Sequence, residues 1–160
     1  MKLYFVRHGL AHWPNWNGSD AERPLTREGL RLIHQACVGL AHRLKHDDAR
    51  PDFILHSPLV RAVETAEIIA AELDLLERLR PLPALQPGFN FKALQTLLAD
   101  YANAEDLMLI GHNPDISDVV SQLIERPVSF KEGTVAHVKL DEPDHGSLIW
   151  LATVEALASS

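Results

Sequence analysis

Three short segments hold the side chains of this sequence that could act together chemically. They are Arg7-His8-Gly9, His56-Ser57-Pro58-Leu59-Val60-Arg61 and Gly111-His112-Asn113-Pro114. Each follows a run of apolar residues: Leu3–Val6, Phe53–Leu55 and Leu107–Ile110. Taken singly, an Arg-His pair in a loop is ordinary solvated surface, and a histidine before Asn-Pro is an ordinary helix cap. Arg61 is less ordinary, because a helix starting after Ser57-Pro58 places it in the first turn, where the dipole disfavours a cation. Brought together, Arg7, His8, Arg61 and His112 form a pocket for a doubly charged oxyanion. Guanidinium forks pair with phosphate oxygens, and helix starts after Ser57 and Asn113 offer backbone N–H groups to the same anion. A neutral imidazole beside a bound phosphoryl group can attack phosphorus and become a phosphohistidine. His8 is the candidate nucleophile, and its cationic neighbours are expected to depress its pKa and keep it neutral. Arg7, Arg61 and His112 are the candidates for stabilising the charge on the equatorial oxygens. Gly9 would let the backbone pass close to the anion, with Asn113 on the binding side.

That chemistry requires the three segments to meet. In an open α/β sheet, sites form outside the carboxyl ends of parallel strands. The three apolar runs read as buried strands, apolar on both faces as expected when helices cover both sides. Between them lie helical patterns. Thr26 is a plausible N-cap for a helix whose apolar face runs Leu30, Ile33, Cys37, Leu40, Ala41 and Leu44, ending near Lys45. Ser57-Pro58 reads as a capping hydroxyl with proline at the first helical position, opening a helix with Leu59, Ala62, Val63, Ala66, Ile69, Ala70 and Leu73 inward. Prolines 81, 83 and 87 and Gly88 make 81–89 irregular. Phe91 to Leu98 is a short helix, and Pro114 starts another with Ile116, Val119, Val120 and Leu123 inward. Thr134–Leu140 and Ser147–Val154 read as an antiparallel pair joined by the turn EPDHG. Residues 10–25, broken by Pro14, Asn15, Asn17, Gly18 and Pro24, read as loop. The expected fold is α/β: a three-layer α/β/α sandwich whose mostly parallel central sheet has an antiparallel edge.

Composition narrows the alternatives. The 160 residues suit one domain with a real core, spanning 1–160. A formal net charge of −7 argues against binding nucleic-acid backbone. No apolar run is long enough to span a bilayer, and Arg7 and His8 interrupt the first apolar stretch too early for a secretory signal. A cytoplasmic protein is expected, with no membrane partner. The one cysteine, Cys37, permits no internal disulfide and reads as core.

In order and context, VRHG, SPLVRAVETA and GHNP resemble the histidine phosphatase (phosphoglycerate mutase-like) superfamily, over residues 3 to about 124. The resemblance implies the phosphoglycerate mutase-like fold, with His8 as the phosphorylated residue. It implies that Arg7, Arg61 and His112 complete the phosphate pocket, and it supplies no metal or cofactor. RPLTREG at 23–29 and the GHNP form of the last motif are similar to the small SixA-type phosphohistidine phosphatases, and the chain leaves no room for a sizeable lid. Mutases and many acid phosphatases of the superfamily carry a glutamate general acid after the second motif's helix. Residues 78–99 here contain no carboxylate, and Gln86 cannot donate a proton usefully. Expelling an alkoxide needs an acid, whereas a phosphoramidate can leave as imidazole once its ring is protonated. The expected activity is therefore a metal-independent phosphatase acting on phosphohistidine in a protein. A broad small-molecule phosphomonoesterase and a non-catalytic phosphate-binding module are the alternatives.

Other features are read as structural. Asp20 and Glu22 are taken as solvated loop charges and Asp115 as a dipole-favoured residue in a first helical turn, each a conceivable acid. His42 and His46, four apart, lack any HExxH context and sit on a solvated helix face. His12, Trp13 and Trp16 are candidates for the site's mouth or for pinning the loop. His56 finishes its strand, and Ser57 is taken as a cap.

Overall fold

The computed structural model describes residues 1–13 and 16–160, so the expected breaks at Pro14 and Asn15 lie outside the described residues. Six strands form one sheet: β1 (Lys2–Arg7), β2 (Phe53–His56), β3 (Leu79–Pro81), β4 (Asp106–Gly111), β5 (Val135–Glu142) and β6 (His145–Ala152). Their order across the sheet is β3-β2-β4-β1-β5-β6. β3, β2, β4 and β1 run parallel, while β5 and β6 form the antiparallel edge. Helices α1 (Arg27–His46), α2 (Val60–Glu72), α3 (Phe91–Asp100), α4 (Asp115–Ile124) and α5 (Val154–Ala158) cover the two faces. One core layer packs α1, α2 and α5 on Tyr4, Val6, Ile54, Met108 and Ile110. The other packs α3 and α4 on Leu3, Phe5, Leu55, Leu107 and Leu109. The alternation along β1 and β4 into two different cores explains why these strands read as continuous apolar runs.

The helix starts obey local chemistry. Thr26 accepts from Gly29 N and opens α1, and Asn90 accepts from Ala93 N and opens α3. Thr153 accepts from Ala156 N and opens α5. That cap ends the last strand at Ala152, so the expected strand through Val154 is shorter and a helix follows. The hairpin is tighter than EPDHG, with only Pro143 and Asp144 between β5 and β6. β3 (Leu79–Pro81) falls where no strand was expected and reaches the stretch expected to be irregular at Pro81. It survives its proline because it is an edge strand bonded to β2 alone. The helix expected from Ser57-Pro58 starts later, at Val60, with Leu59 as its N-cap.

At the amino end of the sheet, the Asp47 carboxylate ties α1 to three strands. It accepts from Tyr4 OH and Trp150 Nε1, each at 2.9 Å, and His137 Nδ1 lies 3.0 Å away. The register at the other end sets the functional residues. Arg7 pairs with Gly111 and His56 with Ile110, so the three motifs leave adjacent central strands β2, β4 and β1 at one level.

Candidate active site

His8 N donates to Gly111 O and Ser57 N to Ile110 O, at 3.1 and 3.0 Å, extending the sheet bonds one residue into each motif. The turn before β5 closes the fourth side. Gly133 N bonds Arg7 O and His8 O, at 3.1 and 3.0 Å, and Gly133 holds φ +74°, a conformation that costs glycine little. The backbone on both sides of His8 is therefore fixed by neighbouring chain.

A cleft of about 630 Å³ is lined by Arg7, His8, Arg61 and His112, with Asn113, Asp20, Arg23 and Glu132 at its sides. Leu10, Ala11, Trp13 and Pro87 complete its mouth. All four residues expected to act together thus share one cavity. Arg61, 4% exposed, sits in the first turn of α2. Its Nη1 donates to Asp20 O at 2.8 Å and its Nη2 to Asp20 Oδ2 at 3.1 Å. Arg7 Nη1 donates to Phe130 O at 2.9 Å. The Nε atoms of both arginines and Nδ1 of His112 are buried without a hydrogen-bond partner among the described residues. Buried polar atoms are rarely left so, and these three belong to residues around one cavity.

The two imidazoles are neighbours, with centroids 5.2 Å apart and ring planes tilted by 57°. His8 Nδ1 lies 2.7 Å from Gly9 O. A carbonyl can only accept, so Nδ1 carries the proton and Nε2 keeps its lone pair. Gly9 N in turn donates to Thr65 Oγ1, whose hydroxyl donates to Arg61 O, linking the loop that carries His8 to α2. A Cβ on Gly9 would meet Ile33 Cγ1 at 2.9 Å, so contact with α1 demands glycine here. His112 Nε2 lies 2.7 Å from Ser57 Oγ.

Burial is the first cause of a low His8 pKa, about 3; the Gly9 contact opposes it, and His112, Arg61 and Arg7 push it lower. The expected depression is present, but desolvation leads and the cations follow. His112 is lowered to about 4, again by burial first and Arg61 second. Both rings are neutral through neutral and mildly acidic conditions. The acid limb of kcat/KM is therefore expected below about pH 5, well under the 6.5 or so of an ordinary histidine. The same shifts bear on stability. Folded values lie below unfolded ones, so the unfolded chain takes up protons first as pH falls. This contribution is complete above about pH 6.5 and is lost progressively toward the folded values. Thermal unfolding followed from neutral pH downward should show that loss, and a His112→Asn variant should show less of it.

Several side chains sit differently from expectation. Ser57 is fully buried; Leu59 N donates to its hydroxyl at 3.2 Å, but it does not cap α2, and its other contact is His112. Asp20 is no free loop charge. It lies on a 3-10 turn (Asp20–Glu22) and bonds Arg61 and Arg23. Burial alone would raise its carboxyl pKa, but the two guanidiniums outweigh burial and hold it below the usual carboxylate value. Asp115 stands in the first turn of α4, as read, and accepts from Gly88 N at 2.7 Å. Asn113 borders the cleft, yet its amide is committed to Phe130 O, Ser117 Oγ and Ser117 N. It fixes the loop holding Arg7. Trp16 Nε1 donates to Ser19 O and pins its loop, whereas Trp13 is 76% exposed with Arg23 5.4 Å above its ring. His42 and His46 are exposed and Cys37 is buried. No group of three or more His, Cys, Asp or Glu among the described residues is placed to hold a metal ion. No helix among them is long and apolar enough to cross a membrane. Glu132 was not singled out by sequence; an acidic residue in a Lys-Glu-Gly turn before β5 was the available signal.

Comparison with known proteins accords with this geometry. Residues 3–87 match the model of the histidine phosphatase superfamily (branch 1). The phosphohistidine phosphatase SixA of Escherichia coli is 30% identical over 157 residues, covering 94% of this chain and 92% of that protein. An uncharacterized protein of Picosynechococcus sp. is 36% identical over 123 residues, 74% of this chain and 70% of its own. Among solved structures, the protein histidine phosphatase SixA complexed with tungstate superposes with a TM-score of 0.84 at 28% identity, over 98% of this chain and 99% of that one.

Proposed function

Because the chain belongs to the histidine phosphatase superfamily, we propose that it removes the phosphoryl group from phosphohistidine on a protein, through a covalent intermediate on His8. The observation that carries this reading is the trio of unpartnered buried atoms, Arg7 Nε, Arg61 Nε and His112 Nδ1, around the cavity that holds a neutral His8. An oxyanion supplies what those atoms lack.

In the first step His8 Nε2 attacks phosphorus in line with the P–N bond. The bond's electron pair leaves on the substrate nitrogen, whose ring is already protonated at its other nitrogen, so neutral imidazole departs. Arg7, Arg61 and His112 hold the equatorial oxygens, where charge gathers. Ser57, donating its hydroxyl to His112 Nε2, would set the proton on Nδ1 toward the anion. Water then attacks phosphorus, the pair of the breaking P–N bond returns to Nε2, and inorganic phosphate leaves with the water's protons. No metal enters either step.

The choice of a P–N substrate rests on the absence of a carboxylic acid from the segment that follows α2. Residues 78–99 carry no carboxylate, and Asp115 is bound to Gly88 N. The likeness to SixA points to the same substrate class. A protein carrier suits a mouth where Trp13 and Leu10 are exposed. The deciding experiment compares kcat/KM on a phosphohistidine protein with that on small phosphate monoesters, with and without a chelator. Preference for the phosphohistidine protein, unaffected by chelator and competitively inhibited by tungstate, is expected. A clear preference for the esters would overturn the substrate, and loss of turnover with chelator would overturn the metal-free mechanism.

A further inference from the structure

We propose that Glu132 selects phosphohistidine over phosphate esters by accepting the ring N–H of the substrate while its phosphoryl group lies on Arg7 and Arg61. The inference deepens the reading above and rests on it. Glu132 lies in the turn that Gly133 clamps to Arg7 O and His8 O, so its backbone is fixed beside the nucleophile. Its side chain lines the same cleft as His8 and Arg7. Its side chain is about half exposed, and its one charged contact among the described residues is long, Oε1 to Arg7 Nη2 at 3.4 Å.

Holding Arg7 is not a sufficient role for it. Arg7 is anchored independently by Nη1 to Phe130 O at 2.9 Å. The other carboxylates nearby are engaged: Asp20 by Arg61 and Arg23, Glu22 by Ser19 Oγ, and Asp115 by Gly88 N. Of the two carboxylates that line the cleft among the described residues, Asp20 accepts from two guanidiniums and Glu132 makes only the long Arg7 contact, so Glu132 has more acceptor capacity to spare. A carboxylate beside an anion cradle repels an ordinary phosphate ester. It attracts a phosphorylated imidazole, whose protonated ring carries a positive charge and an N–H next to the phosphoryl group. Accepting that N–H keeps the ring protonated until the P–N bond breaks. The electron pair then stays on the released nitrogen and the proton stays where Glu132 holds it.

The test measures kcat/KM of the wild type and of Glu132→Gln on a phosphohistidine protein and on p-nitrophenyl phosphate, across pH. The charged and titratable groups that line the cleft with Glu132 remain in the variant: Arg7 at the end of β1 and His8 after it, Asp20 and Arg23 in the first loop, Arg61 on α2 and His112 after β4. The ratio of the two kcat/KM values is expected to fall about tenfold in the variant, the loss of one charge-assisted hydrogen bond. The alkaline limb of phosphohistidine turnover should move to lower pH, since the ring then loses its proton sooner. A ratio within threefold of wild type, with the limb unmoved, overturns the inference, whatever the variant does to either rate alone. The inhibition constant of inorganic phosphate reports whether the cradle of the variant is intact, and Glu132→Ala repeats the comparison if it is not. A wild type that prefers the ester overturns the substrate reading itself. A wild type that prefers phosphohistidine, with the preference kept in both variants, overturns the Glu132 role alone.

Discussion

Replacing His8 with alanine is expected to lower turnover of a phosphohistidine protein by about 10⁴-fold or more, with no phosphorylated enzyme formed. No other described residue of the cleft is placed to take over the attack. His112 is the other imidazole, but its Nε2 is engaged with Ser57 and its ring stands across the cavity, 5.2 Å between centroids. What remains in the variant is the anion cradle, so phosphate should still bind and a small residual rate from direct attack by water should survive. The wild-type enzyme, quenched early in turnover, should carry phosphate that is labile to acid and stable to alkali, as a P–N bond is. Rapid-quench labelling of both proteins checks this. A His8→Ala enzyme within tenfold of the wild type would sink the covalent mechanism.

The second large effect belongs to Arg61. Its replacement by alanine is expected to cost about 10³-fold in kcat/KM, the scale of losing one preorganised donor to the transition state. Arg61→Lys should recover only part of it, because an ammonium lacks the fork that meets two oxygens at once. The result must be separated from a purely structural role, since Arg61 also holds Asp20 through Nη1 and Nη2. Asp20→Asn makes the separation. It weakens the Asp20 contact and leaves the guanidinium in place, so it should lose little activity. If Asp20→Asn and Arg61→Ala lose equally, Arg61 acts by anchoring the loop and the cradle must be redrawn.

The strand ends were legible in the sequence because three apolar runs stopped at three basic motifs, and nothing but a shared sheet edge makes that pattern economical. Asp20 was not legible. Its partner is 41 residues away, and a loop without periodicity gives no sign of which way its side chains turn. Ser57 was misread for a different reason. Ser-Pro before an apolar run has the local pattern of a helix start, but Pro58 and Leu59 bend before the helix begins and leave the hydroxyl to His112. The choice between those two uses depends on β4 lying next to β2, which no local pattern records. β3 and α5 were missed because tertiary pairing and a single capping threonine decided short segments whose composition was ambiguous. The place of Glu132 beside His8 is set by Gly133 and its bonds to Arg7 O and His8 O, again a long-range fact.

The adjacency of β2, β4 and β1 also acts as a gauge. Neighbouring strands are held about 4.8 Å apart by their backbone bonds, so the outer two of three consecutive strand ends stand roughly 10 Å apart. That span suits one tetrahedral anion ringed by short charge-assisted hydrogen bonds of about 2.8 Å. The width of the cradle is thus written in main-chain geometry. Substitutions along these strands that preserve pairing leave it unchanged, and the loops above it are free to vary in what molecule they admit.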